Sequence, residues 1–138
     1  MTTERKVSLL FATNAVINWI VSIQGIVDPA GAAGMFAGQV PNYPSIIRLW
    51  QGFVFMFGCL FWEASRDVRR NVVLLKYNWI EKTITAGALT LGYFAGDIPP
   101  RLMVLITFTN WLWIPFIFWG DMAVRRLIRL PSESHRVG

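Results

Sequence analysis

The chain has 138 residues, of which 54% are hydrophobic and 15% charged, against about a quarter charged in soluble domains. Its formal net charge is +5, from 13 Lys plus Arg against 8 Asp plus Glu. So short a chain leaves no room for a second domain. The positive excess lies beside long apolar runs, where lipid phosphates and membrane topology explain it better than nucleic acid does.

A helix needs roughly 20 apolar residues to cross a hydrocarbon core of about 30 Å. Val7 to Val27 is the first such run, and it stops at Asp28-Pro29 because proline disfavours helix in the residue before it. Arg5 and Lys6 before it, with Ala30-Gly31-Ala32-Ala33 after it, loosely resemble signal-peptide flanks. The run is longer than the apolar region of a leader and reads as an uncleaved first span. Asp28 to Ser45, rich in Gly and Pro and carrying Met35, Phe36 and Tyr43, reads as a long connection.

Ile46 to Ala64 is the second run, with Arg48 near its start and the single cysteine, Cys59, inside it. One cysteine excludes an intrachain disulfide, and this one reads as a small hydrophobe. Thr83 to Ala95 is apolar but too short to cross alone. The third helix is therefore expected over Val72 to Ala95, taking Tyr77, Asn78, Glu81 and Lys82 with it. The fourth run, Leu102 to Gly120, is introduced by Pro99-Pro100-Arg101, and a polar tail from Pro131 to Gly138 follows.

Arginine and lysine are distributed unevenly around these runs. Arg5 and Lys6 precede the first, Arg66, Arg69, Arg70 and Lys76 separate the second from the third, and Arg125, Arg126, Arg129 and Arg136 follow the fourth. The opposite connections hold only Arg48 and Arg101, each close to a span end. The positive-inside rule then places both termini and the middle loop in the cytoplasm, which requires an even number of spans. The expected fold is all-α: one integral membrane domain over residues 1–138, an up-down four-helix bundle with cytoplasmic N- and C-termini.

Polar residues inside a span carry information because lipid offers them no partners. Asn14, Asn18 and Ser22 recur every four residues and share one helix face. Asn110 lies near the middle of the fourth run, and Pro115 after it frees the carbonyl of Trp111. An Asn18–Asn110 hydrogen bond would satisfy both groups and set helix register; structural packing is the first reading and a ligand site the second.

Glu63, Glu81, Lys82 and Asp121 form another polar set toward the cytoplasmic half. Glu81 and Lys82 point about 100° apart and read as poor mutual partners. Lys82 is expected to meet Glu63 or Asp121 across the bundle, leaving Glu81 to Tyr77 or a basic residue. Should Glu81 face an apolar pocket instead, it can act as an acid or a proton carrier.

Of the seven tryptophans, Trp50, Trp62 and Trp119 lie near span ends, where an indole favours the headgroup region. Trp19, Trp111 and Trp113 lie deeper, filling helix contacts or lining a pocket. Ala88, Gly92 and Gly96 form a small-residue stripe of the kind that lets helices approach closely. The only histidine, His135, is in the tail, so no histidine pair is available within the spans for haem, metal or chlorophyll. Neither a nucleotide loop nor a Cys–His or Ser–His–acid set is present, and no catalytic or metal-binding residue is assigned.

Arg48-Leu49-Trp50-Gln51-Gly52, Phe57-Gly58, Ala64-Ser65-Arg66-Asp67 and Trp79-Ile80-Glu81-Lys82 together resemble the small bacterial DoxX-like membrane proteins. The likeness covers Ser45 to Ala95, about a third of the chain, with short, hydrophobic motifs. It implies a four-helix membrane bundle in a bacterial inner membrane and brings no single activity. Glu81 stands where such proteins have a small residue.

Two functions follow. The first is a non-catalytic accessory or structural subunit, packed among membrane lipids and other membrane protein subunits in a larger complex, with energy transduction as one candidate host. The alternative is a binding protein or isomerase for a lipophilic molecule such as a quinone, sterol-like lipid or carotenoid, with Glu63, Glu81, Asn110, Trp111 and Trp113 lining the site. No cofactor is identifiable from the sequence, and a bound lipid, quinone or carotenoid fits the second function. Nucleic acid is not expected as a partner. Accessibility labelling of single cysteines at both termini and between the second and third runs should find all three on one membrane face. Termini on opposite faces would overturn this topology.

Overall fold

Alternating apolar runs and proline-marked breaks lead to helix after helix. The computed structural model describes residues 1–37 and 44–129, and within that set no strand occurs. The helices are α1 (Thr3–Val27), α2 (Pro29–Ala37), α3 (Pro44–Arg66), α4 (Val72–Ala95), α5 (Pro100–Ile106) and α6 (Ile114–Arg129). A π turn, Thr107–Trp111, joins α5 to α6. Tyr43, His135, Arg136 and the tail from Pro131 lie outside the described residues, as do the side chains of Met35 and Phe36.

Three stretches are long and apolar enough to cross a membrane: α1, α3 and the run Pro100–Arg129. Their outer faces carry exposed Ile20, Phe53, Phe108 and Phe116, as lipid-facing helices do. α4 falls below that apolar standard, and the residues that lower it include Asn78 and Lys82, both turned inward and buried.

Local chemistry sets the helix ends. Thr2 caps α1 by accepting the Arg5 N–H at 3.3 Å. Asp28 ends α1 and at once starts α2, its Oδ1 accepting the Gly31 N–H at 2.9 Å with Pro29 at the first helical position. The connection expected from Asp28 to Ser45 thus holds a helix, and the Asp-Pro pair is its start signal. Gly96 closes α4 at φ +85°, and the Asp97 N–H donates to the Gly92 carbonyl at 2.9 Å, the bond pattern of a glycine-terminated helix. The small-residue stripe thus ends in a cap, while Gly92 is covered by Ile98 of the following turn and not by another helix.

α1 carries one buried stripe of Val7, Phe11, Asn14, Ala15, Asn18, Ser22 and Gly25. Against it α3 runs antiparallel: Ser8 donates to the Ser65 carbonyl at 2.6 Å, and Arg48 Nε donates to the Ile26 carbonyl at 3.2 Å. α4 runs parallel to α1, pairing Asn14 with Asn78 and Asn18 with Lys82. α6 returns antiparallel to α4, with Trp79 Nε1 donating to Asp121 at 3.1 Å and Arg125 reaching the Val72 carbonyl at 3.4 Å.

The apolar core gathers at the end that holds the N-terminus. Val7, Phe11, Phe61, Ala64, Leu75, Ile117 and Val124 pack there, with Phe11 and Phe61 edge to face at 6.4 Å. Glu4 pairs with Arg69 across this end. At the other end the helices spread. Among the described residues, the backbones of α5 and the π turn stay away from those of α1 and α3; α2 bridges the gap by touching α1, α3 and α5, and α4 touches both α3 and α5.

Gly58 sets the α1–α3 approach. A Cβ there would lie 2.6 Å from Trp19 Cδ1 and 3.2 Å from the Ala15 carbonyl, so even alanine must push the helices apart. Gly58→Ala should destabilise the folded protein by about 1–3 kcal/mol, seen as a lower melting temperature in detergent. Gly52→Ala, where no atom lies within 4 Å, should not lower it.

Candidate functional site

Where the helices spread they leave a partly open cavity of about 330 Å³, a volume in the range of small-molecule sites. Every element except α6 contributes to its wall. Ile17, Val21, Val54, Leu89 and Leu105 supply apolar surface, and Ala32 and Ala33 of α2 cover one side. The polar wall consists of Asn18, Gln24, Gln51, Glu81, Lys82, Thr85, Thr109 and Asn110.

Lys82 is the centre of the polar wall, only 5% exposed. Its Nζ donates to Asn18 Oδ1 at 3.4 Å and lies 4.0 Å from Glu81 Oε2, close enough for charge attraction but beyond hydrogen-bond reach. Glu81 Oε1 accepts from Thr85 one turn on, at 3.1 Å. The neighbours Glu81 and Lys82 therefore reach toward one another despite pointing apart at the backbone, because both side chains are long enough to bend into one cavity.

Lys82 does not meet Glu63 or Asp121. Asp121 is already held by Arg125 at 2.7 Å and by the Trp79 indole, and Glu63 sits on the surface 3.9 Å from Arg66. Nor does Glu81 meet Tyr77, which is exposed. The expected Asn18–Asn110 bond is also absent. Trp111 Nε1 donates to Thr90 at 3.2 Å, which sets Asn110 about two helical turns along α4 from Lys82, the partner of Asn18. Asn110 Nδ2 donates instead to Thr109 Oγ1 at 2.9 Å.

The backbone around Asn110 departs from the α-helix. The Leu112 N–H donates to the Thr107 carbonyl at 3.0 Å, a five-residue span that widens the helix by one residue. Pro115 then falls in the first turn of α6, where its missing N–H costs little. The wide turn leaves Thr109 and Asn110 against the cavity.

Of the residues proposed from sequence as ligand-lining, Glu81 and Asn110 border the cavity. Glu63, Trp111 and Trp113 do not: Glu63 is on the surface, Trp111 bonds to Thr90 on the outer side, and Trp113 packs against the apolar core. Trp50, Gln51 and Lys82 are lining residues that sequence reasoning assigned elsewhere, to the headgroup region, to no role and to packing. Gln51 carried a readable signal as an amide within an apolar run.

Four buried polar atoms have no hydrogen-bond partner among the described residues: Trp19 Nε1, Gln51 Oε1, Asn78 Nδ2 and Glu81 Oε2. Two of these belong to the cavity wall. Below the cavity, Asn14 Nδ2 donates to Asn78 Oδ1 at 3.1 Å, so the Asn14–Asn78 and Asn18–Lys82 bonds form a two-rung ladder between α1 and α4. Among the described residues no group of three or more His, Cys, Asp or Glu side chains is placed to hold a metal ion.

The chain matches no protein-family model, and no significant match exists among curated proteins or solved structures.

A double-mutant cycle over Asn14→Leu and Asn78→Leu should return a coupling energy of about 0.6–1.7 kcal/mol from thermal unfolding in detergent. A coupling near zero would remove the lower rung as a stabilising contact.

Proposed function

We propose that the chain crosses the bilayer four times, with both termini cytoplasmic, and binds a lipophilic small molecule in the cavity between α1, α3, α4 and α5. The reading rests on one observation: a partly open cavity walled mainly by aliphatic side chains carries buried Lys82, half-buried Glu81 and several amides on one wall. A packing defect would be apolar, since buried polar groups are costly unless they find partners. Support for four spans comes from the arginine asymmetry, from three stretches of membrane-spanning length, and from the alternating helix directions. α4 completes the even count, with Asn78 and Lys82 withdrawn from lipid.

The DoxX-like resemblance and the bacterial inner membrane belong to this same proposal. Gly58, within the resembling segment, receives the Trp19 indole, and Gln51, Glu81 and Lys82, also within it, border the cavity. The accessory-subunit reading draws on the exposed aromatic faces of α3 and α6, but lipid covers such faces equally well. No particular residue selects a protein neighbour over lipid.

After gentle extraction, the purified protein should retain one lipophilic species near equimolar amount, identified by solvent extraction and mass spectrometry. Val54→Trp, which fills the cavity, should reduce that species several-fold without lowering the melting temperature. If both proteins retain only bulk membrane lipid in the same proportions, the ligand reading fails.

A further inference from the structure

Hydrogen-bonding capacity and charge around the cavity narrow the ligand. We infer that the cavity takes an uncharged amphiphile whose head is a hydroxyl group, an inference that rests on the ligand reading above and names its chemical class. Lys82 and Glu81 bring opposite charges 4.0 Å apart and sum to zero. A carboxylate or ammonium head would leave one charge uncompensated in apolar surroundings, which is costly. The pair therefore selects a neutral head.

Unmet hydrogen bonds select among neutral heads. Gln51 Oε1 and Glu81 Oε2 are buried acceptors with no donor among the described residues, and an unpaired buried acceptor carries its full desolvation cost. An ammonium has three N–H donors, and among the described residues only Asn18 lies within hydrogen-bond distance of Lys82 Nζ. Side by side, the wall therefore holds an acceptor in need of a donor, Glu81 Oε2, and a donor in need of an acceptor, Lys82 Nζ. A hydroxyl supplies both from one atom. A ketone or ether answers Lys82 alone and leaves Glu81 Oε2 unpaired, and a bare hydrocarbon answers neither.

Gln51 packs at Gly25, about two helical turns along α1 from Asn18, and so lies apart from the Lys82–Glu81 pair. A Cβ at Gly25 would lie 2.5 Å from Gln51 Cγ and 2.8 Å from Cδ, so the amide lies flat against α1 only because that position is bare. Ile17, Val21, Val54, Leu89 and Leu105 are left to cover the apolar tail.

The test uses the full chain in lipid nanodiscs with equimolar 1-dodecanol and dodecyl methyl ether, read by native mass spectrometry. The alcohol adduct should exceed the ether adduct about tenfold. Against dodecanoate the wild-type protein should also prefer the alcohol. Glu81→Gln, which leaves the Lys82 charge unbalanced, should reverse that preference. Each value is a ratio of two probes on one sample, so partial loss of folded protein cancels. Equal binding of alcohol and ether, with both lost in Val54→Trp, would overturn the hydroxyl inference and leave the ligand reading standing. A wild-type preference for dodecanoate would do the same. Absence of all three adducts would overturn both.

Discussion

α1 and α4 are joined through side chains rather than close backbones. Asn14 meets Asn78, and Asn18 meets Lys82 one turn further along, at equal sequence steps on two parallel helices. In lipid, where hydrocarbon is as apolar outside a protein as inside, such bonds and close packing replace the hydrophobic force between helices. The ladder both holds α4 in place and draws its polar residues inward. In the proposed four-span arrangement, Asn78 and Lys82 would face hydrocarbon without that inward turn.

The ladder also marks a boundary within the molecule. On one side of it, Val7, Phe11, Phe61, Leu75 and Ile117 close the space between helices. On the other side, the backbones of α5 and the π turn stand away from α1 and α3, and α2 lies across the gap. The cavity is the product of those two arrangements. Its apolar wall comes from residues that serve any membrane helix. Its polar wall comes from the upper rung of the ladder itself, so one lysine both fixes the register of α4 and supplies the charge at the proposed binding site.

That double role explains why the Lys–Glu pair is loosely made. A tight ion pair would satisfy both groups and leave nothing for a ligand. Here Glu81 Oε2 has no hydrogen-bond donor among the described residues and Lys82 makes a long bond to Asn18. By contrast Asp121, outside the cavity, is bonded at 2.7 Å to Arg125 and at 3.1 Å to Trp79. Buried Asp121 and half-buried Glu81 thus differ in how fully they are satisfied, and the incomplete one borders the cavity.

The amino-acid sequence by itself determined the helical class, the apolar stretches long enough to cross a bilayer and the shared face of Asn14, Asn18 and Ser22, because run length and helical periodicity are local properties. It also contained, in Asp28-Pro29, a start signal for α2 that composition alone hid. What only the tertiary structure decided was partnership: that Lys82 turns to Asn18 and Glu81, that Asp121 is taken by Arg125 and Trp79, and that Asn110 stands about two turns from Asn18. Those outcomes depend on the depth at which one helix passes another and on a π turn that shifts the register of the last one. Neither is a property of any single segment, so side-chain spacing along the chain could identify which residues must find partners but not which partners they would find.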